Sequence, residues 1–461
     1  PAQLDGRSDT DPLEQPGFGV FQVRGQEEYV HQRAAAQAYW QKQLNTGAAG
    51  SGKDDIAEGV CLITGEAGPL ARLHEPKIKG VAGGQSSGAT LVSFNLDAFD
   101  SLNKKQGINA PVSERAAFQY ATALNALLAS DRHRVQLGDT TVVFWTDQPE
   151  TGAEAALAEG LGQWAPRPED DGGETRSRLQ DFLNRFRQAT ADPTAGDLEQ
   201  ADAPFYVLGL SPNAARISVR FWMRCTVKEL AERLASHVEA VTLAGGRDGQ
   251  DQPTFRQLLR ETARESKDIP PQLAGELARS ILRGTPYPSS FAAALRRRIV
   301  ADHTVPHPRA AGLKAWLNRN YQMEVPVSLD PDRTDPPYRL GRLFAAYEKV
   351  QGDAADGKLN RTIRDSYLTS ASATPASIFP RLIALSQHHL KKLRREKPGL
   401  AVNREKLIGE ICAELTTFPR RLTLQDQGLF ALGYYHQTQD FYTKRDKAEA
   451  DVAEPATASG E

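Results

Sequence analysis

Cysteine is scarce. The 461 residues hold three, Cys61, Cys225 and Cys412, far apart in the chain. With no CxxC pair, neither a clustered-cysteine zinc site nor a disulfide framework is indicated, and a reducing, cytoplasmic setting fits best. There is no apolar run of about 18 residues and no secretory leader pattern, so membrane insertion is not expected. Excess charge is missing too: the formal net charge is -2, so any grip on a polyanion must come from local clusters. HExxH does not occur. His388 and His389 are adjacent on a helical pattern and point about 100° apart, unlike two ligands of one metal. His303 and His307 have Pro306 between them, which argues against a shared helical face. From Gly47 to Lys53 the chain matches the first seven positions of a phosphate-cradling loop, but Asp54 stands where Ser or Thr would hold magnesium. An acid there repels phosphate. No catalytic residue, metal or cofactor is expected.

What the sequence does have is an ordinary globular balance, 40% hydrophobic and 25% charged, over a length that suits two to four domains. The first half alternates. Strand patterns fall at 17–23, 59–64, 90–95 and 140–146, and helical ones at 29–44, 113–129 and 175–190. Ser113 caps the second helix with Glu114 beside it. Segment 45–58 reads as a Gly-rich loop, and 148–174, acidic and rich in breakers, as an insertion or hinge. Segments 204–211 and 215–222 form a hairpin around Pro212-Asn213-Ala214, followed by a helix at 227–243 and a linker at 245–253.

Beyond 253 strand signals vanish. Helical patterns recur at 254–266, 270–282, 289–301, 307–319, 338–351, 375–396, 403–415 and 423–442, with prolines at their starts or in their connections. The aromatics of 429–442 fit helix packing rather than base stacking. The tail from Lys444 onward reads as frayed. The fold class is α+β: a mixed strand and helix half followed by an all-helical region. The division expected is an α+β body at 1–245, a basic helical connector at 246–330 and a helical bundle at 331–461.

Five places concentrate donors suited to phosphate. In 72–95, Lys77 and Lys79 precede a loop of glycines with Gln85, Ser86 and Ser87, and Asn95 closes it. Glycines admit close backbone approach, lysines and hydroxyls donate to phosphate oxygens, and a glutamine can read a base edge. A surface loop packed on its own domain is the plainer alternative. Arg216 and Arg220, two strand periods apart, share a hairpin face. Arg296, Arg297 and Arg298, with Arg309, Lys314 and Arg319 beyond them, make a basic tract in which Asp302 is the one acid from 290 to 320. Lys391, Lys392, Arg394, Arg395 and Lys397 crowd a helix C-terminus, where the dipole favours them without any ligand. Arg420 and Arg421 open another helix, where the dipole disfavours them, so a polyanion or a neighbouring acid is needed to explain them.

Several long strings resemble one family. They are CLITGEAGPLARLHEPKIKGVAGGQSSGATLVSFNLDAFDS (61–101), NAPVSERAAFQYATALNALLAS (109–130), GDTTVVFW (138–145), FYVLGLSPNAARISVRFW (205–222), SASATPASIFPRLIALSQHHLKKL (370–393) and ALGYYHQTQDFY (431–442). In this order they resemble the Csd-type large subunit of a type I-C CRISPR surveillance complex, Cascade. The resemblance implies a non-catalytic subunit beside crRNA-bearing backbone subunits. It would help recognise the protospacer-adjacent motif on target double-stranded DNA, hold the displaced single strand and recruit a separate helicase-nuclease. Sequence reading is then delegated to guide pairing. The resemblance also implies a C-terminal bundle like a separate small subunit. Its closing motif departs from the family's, with Thr438-Gln439 where Arg-Gln is usual. Some members make the small subunit by internal translation, and Met323, one of two methionines, stands ahead of the last helices. The rival reading is a metal- or nucleotide-dependent nucleic-acid enzyme acting alone.

Overall fold

A computed structural model describes residues 21–45, 57–137, 139–147, 202–357, 359–413 and 415–453. The phosphate-loop-like stretch at 47–54, the acidic stretch at 148–174, the helical pattern at 175–190 and residues 17–20 of the first strand pattern lie outside them. The architecture is α+β, and the chain divides into two compact units. One comprises Pro1–Ala129 with Pro212–Ser218, the other Ser130–Ser211 with Val219–Glu461.

The first unit carries little regular structure. Helix α1 (Ala34–Asn45) follows a 3-10 turn at Val30–Gln32, so the helical pattern expected from 29 is broken at Arg33. Tyr39 and Trp40 on α1 are 58% and 57% exposed. Strands β1 (Glu58–Val60) and β2 (Ala67–Pro69) pair antiparallel with Gly59 opposite Gly68. The strand expected at 59–64 thus ends at Val60, because the Gly65 N–H turns back onto the Cys61 carbonyl. Helix α2 (Glu114–Ala129) starts where expected: the Ser113 hydroxyl accepts from the Ala116 N–H at 3.3 Å. Its apolar stripe, Ala117, Ala121, Leu124 and Leu128, is buried, and Ala116 and Ala117 join Cys61, Ala71 and Val112 in a small core. Such short side chains bury little apolar area, so polar ties matter more here than in a large core.

No strand forms at 90–95. Thr90 makes one parallel bridge to Arg216, and its carbonyl accepts from the Ile217 N–H at 3.0 Å. A run with a single bridge and serine and asparagine in its second half has no ladder to extend.

The second unit is built on a four-stranded antiparallel sheet, β3 (Arg134–Leu137), β4 (Thr140–Thr146), β5 (Pro204–Asn213) and β6 (Arg216–Thr226), in that spatial order. The register sets Val143 opposite Leu208 and Trp145 opposite Tyr206. The hairpin turns on Ala214, at φ 51°, and Ala215, since the first strand runs two residues further than the sequence suggested and the second starts one later. Alternation sends Val142, Phe144, Phe205, Val207, Phe221 and Met223 into the main core.

That core is shared with the helices α3 (Val227–Val241), α4 (Phe255–Arg260), α5 (Pro271–Arg283), α6 (Ser289–Asp302) and α7 (His307–Tyr321). Helix α3 opens with a capping box in which Thr226 and Glu229 satisfy each other's backbone N–H. The last helices are α8 (Pro336–Ala354), α9 (Ile363–Ala373), α10 (Pro375–Glu396), α11 (Pro398–Cys412) and α12 (Leu424–Ala453). Helix α12 runs along α8 and touches α6, α7 and α9. Its Leu429, Phe430, Leu432, Tyr434 and Tyr435 are buried, as helix packing requires. It continues through Ala453, past the point where the sequence suggested fraying.

Helix α9 has no counterpart among the sequence expectations. It is polar and small-residue rich, and its sequence signal is the Thr362–Asp365 capping box. His303 ends α6 in the left-handed conformation and His307 opens α7, so the two share no helix. No helix among the described residues is long and apolar enough to cross a membrane.

Candidate nucleic-acid interface

In the first unit, segment 72–95 is held down from one side by α2. His74 is buried, and its Nδ1 lies 2.6 Å from the Tyr120 hydroxyl. Burial lowers the His74 pKa from its ordinary value and pushes the Tyr120 phenol up to about 12. Further along the same helix, Asn125 makes a two-point clasp. Its Nδ2 donates to the Lys77 carbonyl at 3.0 Å and its Oδ1 accepts from the Lys79 N–H at 2.8 Å. Ile78, between the lysines, is 3% exposed and exchanges both backbone hydrogen bonds with Ala89.

An extended backbone with its middle side chain buried sends its two neighbours outward together. Lys77 and Lys79 are exposed accordingly, and neither makes an ion pair with a described residue. Gly88, at φ 91°, closes the loop where a Cβ would stand 2.8 Å from that of Lys77, so a side chain there would push the lysine away. Between these points two turns, Gly84 N–H to Val81 carbonyl and Gly88 N–H to Gln85 carbonyl, carry Gln85, Ser86 and Ser87 at the surface.

The hairpin tip belongs to the same unit. Arg216 donates to the Asn95 side-chain oxygen and lies over the Phe99 ring, 4.3 Å from its centroid. Both partners are neutral, so the Arg216 charge stays uncompensated. Arg72 likewise bonds the Gln106 amide oxygen at 3.2 Å. The unit therefore gathers Arg72, Lys77, Lys79 and Arg216 with no carboxylate partner among the described residues.

Cations of the second unit are used differently. Arg220 pairs with Asp139 at 3.2 Å and donates to the Ser211 hydroxyl. Arg309 and Lys314 are buried. Arg309 joins Glu261 and Asp302, while Lys314 Nζ donates to the Glu239 and Ala240 carbonyls at the end of α3. Arg319 bonds the Tyr287 hydroxyl. Of the three consecutive arginines, Arg296 donates to Gln427 and Arg298 pairs with Asp302, which leaves Arg297 exposed with no ion partner among the described residues.

At the end of α10, Lys392 meets Glu396, Arg394 meets Glu405, Arg395 meets Glu396 and Lys397 meets Asp356, while Lys391 makes no ion pair with a described residue. Arg420 and Arg421 are exposed and make no ion pair with a described residue. They precede Leu424, so they stand just ahead of α12.

A family model described as CRISPR-associated protein (Cas_Csd1) matches residues 3–442. The chain belongs to this Csd1 family. No curated protein matches it. Family membership makes it a CRISPR-associated protein of the Cascade type, a Csd1-type large subunit of a CRISPR system.

For a Csd1 chain, the residues that sequence reading left out are those that hold the loop. Asn125 and Tyr120 look like ordinary polar positions on α2, and their work depends on contacts to residues 46 to 48 positions away. The cluster of Trp145, Tyr206 and Trp222 on the sheet was also missed, although period-2 alternation in 140–146 and 204–224 places all three opposite the core face. Among the described residues no group of three or more His, Cys, Asp or Glu side chains is placed to hold a metal.

Proposed function

We propose that this Csd1 chain is the non-catalytic large subunit of a type I-C Cascade and that its 72–95 loop engages target DNA at the duplex entry. The observation that carries this reading is the clasp of Asn125 on both sides of Ile78, which presents Lys77 and Lys79 outward with no carboxylate partner among the described residues. Two cations fixed by backbone bonds, beside a glycine loop with Gln85, Ser86 and Ser87, suit phosphate contact with a base edge within reach. Arg216 extends the same unit's positive charge.

In this reading Arg297, Lys391, Arg420 and Arg421, which have no ion partner among the described residues, contribute to holding the displaced strand. The exposed pairs at Lys392, Arg394 and Arg395 exchange their carboxylates for phosphate at little cost, because surface ion pairs are weak. The subunit sits beside the crRNA-bearing backbone, takes part in recognising the protospacer-adjacent motif, and recruits a separate helicase-nuclease.

The test is binding of target duplex by the assembled complex carrying Lys77→Glu and Lys79→Glu. Weakened binding with assembly intact supports the reading. Unchanged binding at moderate salt removes the loop from the interface. Metal- or nucleotide-dependent cleavage by the isolated chain would favour the enzyme reading.

A further inference from the structure

We propose that the outer face of the four-stranded sheet, at its Trp145–Tyr206–Trp222 end, stacks the unpaired bases of a single-stranded nucleic acid. The inner face of these strands is filled by Phe144, Phe205, Phe221 and Met223. On the opposite face three neighbouring strands each contribute one ring. Trp145 and Tyr206 are stacked with centroids 5.4 Å apart, Tyr206 and Trp222 are stacked at 5.9 Å, and Trp145 and Trp222 meet at 5.6 Å. In this cluster Trp145 and Tyr206 are half-buried and Trp222 is 46% exposed. An indole left half in water forgoes a large hydrophobic gain, which a flat partner laid on it would recover.

The surroundings say what kind of partner. Arg224 is exposed, with its guanidinium carbon 5.9 Å from the Tyr206 ring centroid. Arg283, at the end of α5, is exposed and donates to the Trp222 carbonyl at 2.9 Å. Neither arginine makes an ion pair with a described residue. The Tyr206 hydroxyl donates to Asp147 at 3.0 Å, which fixes the ring. Trp, Tyr and Arg are also enriched at protein–protein interfaces, so a protein contact is the competing outcome of the test. Rings flanked by guanidiniums that have no carboxylate partner among the described residues suit a polymer that alternates flat bases with phosphates. In a duplex the base faces are hidden from side chains, so a ring platform selects an unpaired strand, with little preference for sequence.

The inference rests on the DNA-gripping role proposed above for its place in that role, but its binding assay stands apart. The full chain and its Trp222→Ala and Trp222→Phe variants are titrated with fluorescein-labelled oligothymidylate and, in parallel, with a blunt duplex of the same length. Circular dichroism confirms that each variant is folded. Trp222→Ala is expected to weaken oligothymidylate binding by roughly 5- to 150-fold, as one lost base-stacking contact would, with Trp222→Phe restoring most of it and duplex binding unchanged.

A second variant, Arg224→Glu with Arg283→Glu, is expected to weaken the same arm and flatten its salt dependence. Equal oligothymidylate binding by wild type and Trp222→Ala overturns the proposal. So does a Trp222→Ala chain that binds oligothymidylate normally but fails to assemble with other Cascade subunits, which would make the face a protein contact. Failure of the Lys77 and Lys79 loop reads out in the duplex arm alone, so the two ideas fall separately.

Discussion

Gly433 of α12 faces the backbone carbonyl oxygen of Tyr338 on α8 so closely that a Cβ on it would stand 2.0 Å from that oxygen. Gly341 repeats the arrangement from the other side, against the Phe430 carbonyl oxygen at 2.0 Å. The obstacle is backbone in both cases, so no side-chain rotation relieves it. Gly433→Ala must separate two buried helices and lose contacts along both. We expect a loss of about 1–3 kcal/mol or more, visible as a lower thermal midpoint or loss of soluble chain. A midpoint within a degree of wild type would mean that the helices do not pack as described.

Salt dependence reports the first-unit loop directly. Each phosphate neutralised by a lysine releases counterions and steepens the fall of log affinity with log salt by nearly one. Replacing Lys77 and Lys79 by alanine should make that slope shallower by about 2 for target duplex bound to the assembled complex. An unaltered slope would place both lysines away from phosphate.

Asn125 separates presentation from charge. Asn125→Ala leaves both lysines in place and removes two hydrogen bonds, about 0.5–1.5 kcal/mol each in a typical protein. We expect duplex affinity to fall several-fold with the salt slope nearly unchanged, and amide exchange at Lys79 to quicken. Slow exchange at Lys79 in the variant would show that the clasp is dispensable.

Two histidines make the second unit acid-sensitive. His237 lies 2.5 Å from the Tyr287 hydroxyl and His436 lies 2.8 Å from that of Tyr338, both buried. Burial depresses the pKa of His237 to about 3 and that of His436 to about 4. In the unfolded chain each titrates near the ordinary 6.5, so below that pH the unfolded state binds more protons and stability falls as pH drops. From pH 6.5 down to about 4, His436 should cost progressively, about 2 kcal/mol by pH 5. His436→Gln cannot take up a proton and should narrow the gap between thermal midpoints at pH 7 and pH 5. An equal gap would sink this account.

Met323 lies between α7 and α8, and a product begun there would hold the five helices from α8 to α12. Intact-mass measurement of complexes from the native host should show a species of about 15 kDa, a size common for single domains. Met323→Leu should abolish it. Absence of such a species ends the idea of an internal start at this residue.

Much of the second unit was legible because its signals are local. The alternation of 140–146 and 204–222 and the prolines opening α5, α8 and α10 depend on neighbours in sequence. Strands at 59–64 and 90–95 were misread for the opposite reason: β-prone residues need a partner strand, and these met a turn and a single bridge. The basic tract of 290–320 looked like an open surface. Its composition could not reveal that Arg309 is countered by Glu261 and Lys314 by two carbonyls from α3, all distant in sequence. Lys77 and Lys79 were legible as charge, while the reason they stay outward lies on a helix more than forty residues on.

The hairpin of β5 and β6 is divided in its membership, since Pro212–Ser218 cluster with the first unit and the stems with the second. No single scissor cut, therefore, frees either half intact. A fragment ended at Ala129 forfeits the strand tip that supplies Arg216 to Asn95 and Ile217 to Thr90, whereas a fragment begun at Ser130 carries that tip away orphaned. Anyone dissecting the protein would need to graft the tip back or keep the chain whole.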